Sequence, residues 1–164
     1  MNDQHIHFIT TGGTIDKDYE AGRGVRNFVI GEPAVERMLE SLAPPPNFEY
    51  SVESVVRKDS LELDDDDREA IAAACEAAPS SRIVITHGTD TIIDTARELP
   101  EGPTIVLTGA VRPQRMRGSD AEFNLGTAIG AVQTLDPGTY VAMSGRVYPH
   151  DDVRKTEGGQ FVER

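Results

Sequence analysis

One cysteine, no tryptophan and three lysines (Lys17, Lys58, Lys155) leave this chain short of the residue types that often announce a function. A single cysteine cannot close an internal disulfide, so a disulfide framework is excluded. Cys75, inside an alanine-rich run, reads as a small buried helix residue with no histidine motif to activate it. No apolar run approaches the roughly 20 residues of a membrane helix, and the opening Met1-Asn-Asp-Gln4 lacks the charged and apolar regions of a secretory leader. A cytoplasmic protein is therefore expected. Positive charge is scarce: 16 basic against 28 acidic residues leave a net charge of −12. That field repels phosphate backbones and anionic lipid, so neither nucleic acid nor a membrane is an expected partner. An acidic, lysine-poor composition is compatible with a salt-rich cytoplasm and equally with a bias of the genome. Neither the glycine fingerprint of dinucleotide-binding folds nor the phosphate-binding loop ending in Gly-Lys-Ser/Thr is there.

What is there is a design used three times: an apolar run, a threonine, then glycine with hydroxyl or acidic residues. The three copies are Phe8-Ile-Thr-Thr-Gly-Gly-Thr14, Ile83-Val-Ile-Thr-His-Gly-Thr-Asp90 and Ile105-Val-Leu-Thr-Gly-Ala110. Short apolar runs alternate with helical patterns along all 164 residues, which predicts strand–helix–strand crossovers around a mostly parallel sheet. We expect one α/β domain over 1–164, three-layered and Rossmann-like or flavodoxin-like. Strands are predicted at Ile6 to Thr10, Tyr50 to Val56, Arg82 to Thr86, Thr104 to Thr108 and Tyr140 to Ser144. Helices are predicted at Pro33 to Leu42, Asp64 to Ala78, Thr91 to Leu99 and Ala121 to Leu135. The four aspartates Asp64 to Asp67 resemble a metal cluster, but acidic residues in a first helical turn cap free amides, and a calcium loop would need a glycine and a closing glutamate. Residues Asp16 to Gly31 fit no element and read as a long mobile connection, of the kind that often serves as a lid. The polar stretch from Gly145 to Arg164 has the composition of a frayed tail, yet it holds Lys155.

If the three apolar runs are parallel strands, their hydroxyl-rich ends share the edge where open α/β sheets bind ligands. Gly12-Gly13 allows a sharp turn with positive φ, which would expose the Thr14 hydroxyl. Threonine needs a base or relay to attack a carbonyl, and Lys155 and Tyr19 are the candidates. A capping role for Thr14 is the plain alternative. His87-Gly-Thr-Asp-Thr91 follows a strand and opens a helix, which aims backbone amides, two hydroxyls and a carboxylate into the crevice. Asp90 suits a substrate ammonium or an ion pair with Lys155. His87 reads as a hydrogen-bonded structural group.

Thr11-Gly-Gly-Thr-Ile15, Ile85-Thr-His-Gly-Thr-Asp-Thr91 and Thr108-Gly-Ala-Val-Arg-Pro113, continued by Phe123-Asn-Leu125 and Asp152-Val-Arg-Lys155, together resemble the bacterial-type L-asparaginases. The resemblance implies a hydrolase, without cofactor or metal, that converts L-asparagine to L-aspartate and ammonia through a threonine acyl-enzyme, with glutaminase side activity. It implies Thr14 as nucleophile and Thr89, Asp90 and Lys155 as its relay. Which threonine acts first stays open. The implied substrate-binding set is Gly13, Ser60 (for the α-carboxylate), Glu62, Gly88, Thr89, Asp90 (for the α-ammonium) and Ala110. Amides around Thr89 would serve the oxyanion. The family implies a homo-oligomer, dimer or tetramer. The sequence departs from the pattern in two places. The family's lid tyrosine aligns with Phe28, which leaves its role to Tyr19, and the family's C-terminal domain is absent from these 164 residues. A short asparaginase, a non-catalytic asparagine or aspartate sensor, and an amidase module of a larger amidotransferase are the three readings this supports.

Overall fold

The computed structural model describes residues 4–20 and 28–164. Among the described residues ten strands and four α-helices follow in order: β1 (His5–Gly12), β2 (Lys17–Tyr19), β3 (Phe28–Ile30), α1 (Ala34–Glu40), β4 (Glu49–Lys58), α2 (Asp65–Ala77), β5 (Arg82–Thr86), α3 (Ile92–Ala96), β6 (Thr104–Thr108), α4 (Ala121–Thr134), β7 (Gly138–Met143), β8 (Arg146–Pro149), β9 (Val153–Lys155) and β10 (Phe161–Glu163). The main sheet has the order β4-β1-β5-β6-β7-β8, parallel except for β8. Taken as the five parallel strands alone, the order is 2-1-3-4-5, the flavodoxin-like arrangement, with its switch point between β1 and β5.

The central strands read as continuous apolar runs because both of their faces are covered. Ile6, Phe8, Val84 and Val106 meet the side of the core that holds α1 and α4. Ile9, Ile83, Ile85, Ile105 and Leu107 meet the side that holds Ile71 of α2 and Ile92 of α3. No described helix is long and apolar enough to cross a membrane.

The expected strands and helices are present, with ends shifted by a few residues; the helix expected over Thr91 to Leu99 is the shortest relative to expectation, spanning Ile92–Ala96. Two expectations need correction. The segment Asp16 to Gly31 is not simply a mobile connection: Asp16 is buried, and β2 pairs antiparallel with β3, Lys17 against Ile30 and Tyr19 against Phe28. Gly22 and Gly24, part of that expectation, lie outside the described residues. Nor is the stretch after Gly145 a frayed tail. β8 extends the main sheet, and β9 and β10 form a hairpin held by three facing pairs, with Val153, Tyr148 and Phe161 buried against the Ile9–Leu107 face. A few well-spaced apolar side chains suffice to dock a polar segment, which is why composition misjudged it.

The aspartates at the start of α2 form a reciprocal cap. The Asp64 carboxylate accepts from the Asp67 amide at 2.9 Å, and the Asp67 carboxylate accepts from the Asp64 amide at 3.1 Å. Lys58 adds an ion pair to Asp67 at 2.7 Å. Replacing such a cap by alanine removes a bond from an otherwise orphaned amide. Asp64→Ala should lower unfolding free energy by about 1 kcal/mol in urea titration, with unchanged m-value. An unchanged midpoint would show that the cap contributes nothing.

Candidate active site

The ends of β1 and β5 diverge at the switch point, and glycines let their loops touch. Gly12 and Gly13 have φ of +93° and +81°, as the expected sharp turn requires. A Cβ on Gly13 would lie 2.5 Å from the Gly88 amide nitrogen, and one on Gly88 would lie 2.6 Å from the Ser60 Oγ. Three segments are thus stacked in van der Waals contact: the turn after β1, the loop after β5 and the 3₁₀ turn Ser60–Glu62. Two hydroxyls fasten the stack. Thr11 Oγ1 donates to the Thr86 carbonyl at 2.9 Å, and Thr91 Oγ1 donates to the Ser60 carbonyl at 2.8 Å.

Thr14 follows Gly13, and Thr89 follows Gly88, so the two threonines leave the same contact. Thr14 opens a 3₁₀ turn (Thr14–Asp16), is partly exposed, and its hydroxyl bonds to no described residue. Thr89 is already engaged: Lys155 Nζ donates to its Oγ1 at 3.1 Å and to Asp90 Oδ1 at 2.7 Å. The β9–β10 hairpin delivers Lys155, and the Phe161 ring lies beneath its ammonium, 5.9 Å from the ring centroid. Because the ammonium only donates, the Thr89 oxygen is the acceptor in that bond and its own proton is free to point elsewhere.

Ser60 is buried under Gly88 and its hydroxyl bonds to no described residue. Ala110 is buried, and Gly109 before it packs against the His87 carbonyl so closely that no side chain fits. Asn124 of α4 holds that loop: its Nδ2 donates to the Gly109 carbonyl at 2.9 Å and its Oδ1 accepts from the Ser144 amide at 3.0 Å. Glu62 is exposed. Tyr19 is 49% exposed, its ring packed on Phe28 with centroids 4.5 Å apart, and its hydroxyl bonds to no described residue. The structure therefore joins Thr89, Asp90 and Lys155 directly. It sets Gly13, Thr14, Ser60 and Gly88 in the same stack, and leaves Tyr19 and Glu62 outside the bonded set. A hollow of about 480 Å³ lined by His5, Phe48, Tyr50 and Pro79 lies at the other end of β1 and holds none of these groups.

His87 is a structural residue, as expected. It is 0% exposed, and its Nδ1 lies 2.7 Å from the Gly88 carbonyl, which can only accept. Nδ1 must carry the proton, and Nε2 accepts from Thr95 Oγ1 at 2.7 Å. Burial pushes its pKa down to about 4. Cys75 is buried, and burial pushes its thiol up to about 12, out of reach of nucleophilic use. Asp16, two residues after Thr14, moves the other way from an ordinary carboxylate: burial raises it to about 7, against the pull of the Ala34 amide, Arg37 and Arg57. Sequence reasoning missed Asp16, Asn124 and Phe161. The motif Phe123-Asn-Leu125 was the one signal that could have marked Asn124.

A flavodoxin-like sheet with two threonines, a carboxylate and a lysine at its switch point, and glycine-packed loops beneath them, defines a site suited to acyl transfer on a small polar substrate. The chain belongs to the asparaginase family: the family described as "Asparaginase, N-terminal" matches residues 5–162. It is 31% identical to the probable periplasmic L-asparaginase of Haemophilus influenzae, over 93% of this chain and 46% of that protein. It is 29% identical to L-asparaginase 2 of Escherichia coli, again over 93% of this chain and 46% of the other. Among solved structures, the thermostable L-asparaginase from Thermococcus kodakarensis superposes with a TM-score of 0.83 at 26% identity, covering 97% of this chain and 51% of that one. The probable cytoplasmic L-asparaginase from Campylobacter jejuni gives 0.80 at 25% identity, covering 98% and 53%. The chain spans about half the length of these relatives.

His87 has a consequence for stability. Its folded-state pKa is lower than its ordinary value of 6.5, so the unfolded chain binds the proton more readily between 6.5 and about 4. The stability it contributes is complete above 6.5 and is lost as pH falls through that window. His87→Gln, which keeps a donor and an acceptor but no titrating ring, should show a smaller loss of stability between pH 7 and pH 4.5 in denaturant titrations. Equal losses in both proteins would refute the assignment.

Proposed function

We propose that this chain hydrolyses the side-chain amide of L-asparagine to L-aspartate and ammonia, with Thr14 as nucleophile. The observation that carries the reading is the Lys155–Thr89–Asp90 array, brought by the C-terminal hairpin to the contact from which Thr14 also emerges. A structural cap at Thr14 would leave no reason for a distant lysine to bond a threonine hydroxyl and a carboxylate there.

Thr14 Oγ attacks the amide carbon, and the oxyanion is received by amides of the Gly88–Thr89 loop, which the glycine contacts hold rigid. The proton leaving Thr14 passes through the Thr89–Lys155 array to the departing nitrogen, which leaves as ammonia. Water then attacks the Thr14 ester, gives its proton back to Thr14 Oγ, and aspartate is released. Lys155 Nζ beside Thr89 Oγ1 stabilises negative charge developing on that oxygen. Asp90 uses Oδ1 for Lys155, and its other oxygen, which bonds to no described residue, receives the substrate ammonium. Ser60 receives the α-carboxylate. Gly13, Gly88 and Ala110 line the substrate by backbone, and the exposed Glu62 stands at the rim. Tyr19 approaches from the β2–β3 hairpin, with Phe28 packed against its ring.

The same reading makes the protein a cytoplasmic homo-oligomer. Leu61 and Val111, each directly after a site residue, expose 73% and 65% of their surface, apolar area that a second subunit would cover. The lone buried Cys75 is in keeping with a reducing compartment.

The test is ammonia release from L-asparagine and, separately, L-glutamine. Thr14→Ala should lower kcat by more than about a thousand-fold with the circular dichroism of the fold kept. Lys155→Met, which preserves the apolar stem over Phe161, should lower it by about 10²–10⁴-fold. Folded wild-type protein that releases no ammonia from either amide at any concentration would sink the proposal, and full activity in Lys155→Met would remove the hairpin from the site.

A further inference from the structure

Asp16 is a buried carboxyl that the mechanism above does not use. It is 1% exposed, and it bonds to three segments at once. Its amide donates to the Gly13 carbonyl at 3.2 Å, closing the turn that presents Thr14. Its carbonyl accepts from the Gly31 amide at 2.8 Å, where β3 ends. Its carboxylate Oδ1 accepts from the Ala34 amide at 2.8 Å, the first residue of α1. That last bond has a sequence cause. The residue before α1 is Pro33, whose side chain offers no acceptor, so the orphan amide of Ala34 is satisfied from 18 positions upstream.

We propose that Asp16 is a positioning residue for Thr14: its carboxylate clamps the turn carrying the nucleophile to α1 while its backbone carbonyl holds the end of β3, and its charge state sets how firmly the hydroxyl is held. The inference rests on the reading of Thr14 as nucleophile. Two charged groups act on Asp16, one from α1 and one from β4. Arg37 of α1 and Arg57 at the end of β4 attract it. Arg57 is itself paired with Glu32 and faces Glu36, while Arg37 bonds Gln114 and faces Asp18 and Arg115. The two guanidiniums are therefore shared with other partners. Burial outweighs their attraction and places the titration of Asp16 near neutrality, inside the working range of an enzyme.

An ionised Asp16 makes a charge-assisted bond to Ala34, and the protonated form a weaker one. If only the ionised form holds Thr14 in reacting geometry, kcat of the wild type falls about ten-fold from pH 8 to pH 6. The stability sign is opposite. A carboxyl raised in the folded state destabilises the fold as pH rises from 3.8 to about 7, because the folded chain then binds the proton more tightly than the unfolded one.

Asp16→Asn keeps the shape and the acceptor for Ala34 but not the charge. It should raise Tm at pH 8, lower kcat at pH 8 by about ten-fold with little change in KM, and flatten the kcat profile between pH 6 and pH 8. A residue that merely supports the fold would lower Tm and scale the profile without changing its shape. Nuclear magnetic resonance supplies a readout free of activity: in the wild type the amide signals of Thr14, Gly31 and Ala34 should titrate together with one midpoint near 7, and in Asp16→Asn they should not titrate there. If wild-type protein releases no ammonia, the hydrolase reading fails, and the shared titration still decides whether Asp16 holds Thr14. Independent titration of the three amides, or a wild-type pH profile retained in Asp16→Asn, overturns the proposal.

Discussion

Backbone touching backbone is the constraint on which the rest of this structure depends. At the switch point the turn after β1 and the loop after β5 meet main chain to main chain at Gly13 and Gly88, the Ser60 side chain of the 3₁₀ turn after β4 lies directly on Gly88, and Gly109 completes the arrangement against His87. A methyl group at any of these glycines would meet backbone or the Ser60 side chain at 2.6 Å or less. Such contacts leave no slack. The two threonines that emerge from the stack are consequently fixed relative to one another by main chain, and hydrogen bonds from Thr11 and Thr91 hold the layers in register. Precise placement of reacting groups is worth many-fold in rate, and here it comes from the absence of side chains rather than their presence.

Charge follows the same economy. All three lysines pair with an aspartate: Lys17 with Asp59, Lys58 with Asp67 and Lys155 with Asp90. Asp59 and Asp67 flank the turn that carries Ser60, so each pair secures a segment next to the site. Lys155 differs in that its amine also bonds a hydroxyl. On a chain of net charge −12, a cation left at the switch point would otherwise be drawn to many carboxylates; the short bond to Asp90 and the Phe161 ring below it define one position.

The sheet was legible because periodicity is a local property. Runs such as Arg82–Thr86 and Thr104–Thr108 were placed to the residue, since fully buried parallel strands need unbroken apolar stretches. The strand-terminal threonines themselves stay in the sheet. Thr10, Thr86 and Thr108 are buried in the sheet, and the hydroxyls that reach the crevice come from four and three residues later, at Thr14 and Thr89. An ion pair of Asp90 with Lys155 was one of two options that charge alone offered, and the place of Thr89 in the array came only from the family resemblance, because 65 residues separate Asp90 from Lys155 and no local pattern links them. Asp16 carried no signal, and Asn124 stood in a quoted motif, Phe123-Asn-Leu125, without a role. Each acts through a bond to backbone far along the chain, at Ala34 and at Gly109, and a backbone amide or carbonyl carries no sequence signature.

The C-terminal hairpin shows why such long-range placement can still be exact. Its position does not rest on Lys155, whose ion pair is partly exposed and of the kind that holds weakly. It rests on Val153 and Phe161, buried on either strand of the hairpin, and on Tyr148, whose hydroxyl donates to the Phe161 carbonyl at 3.0 Å. Lys155 faces Phe161 across the hairpin, so the apolar residue that docks the segment also sets the height of the amine above the sheet. Burial supplies the energy of docking, strand pairing converts it into geometry, and the ion pair with Asp90 has only to choose among rotamers of a side chain already brought to the correct side.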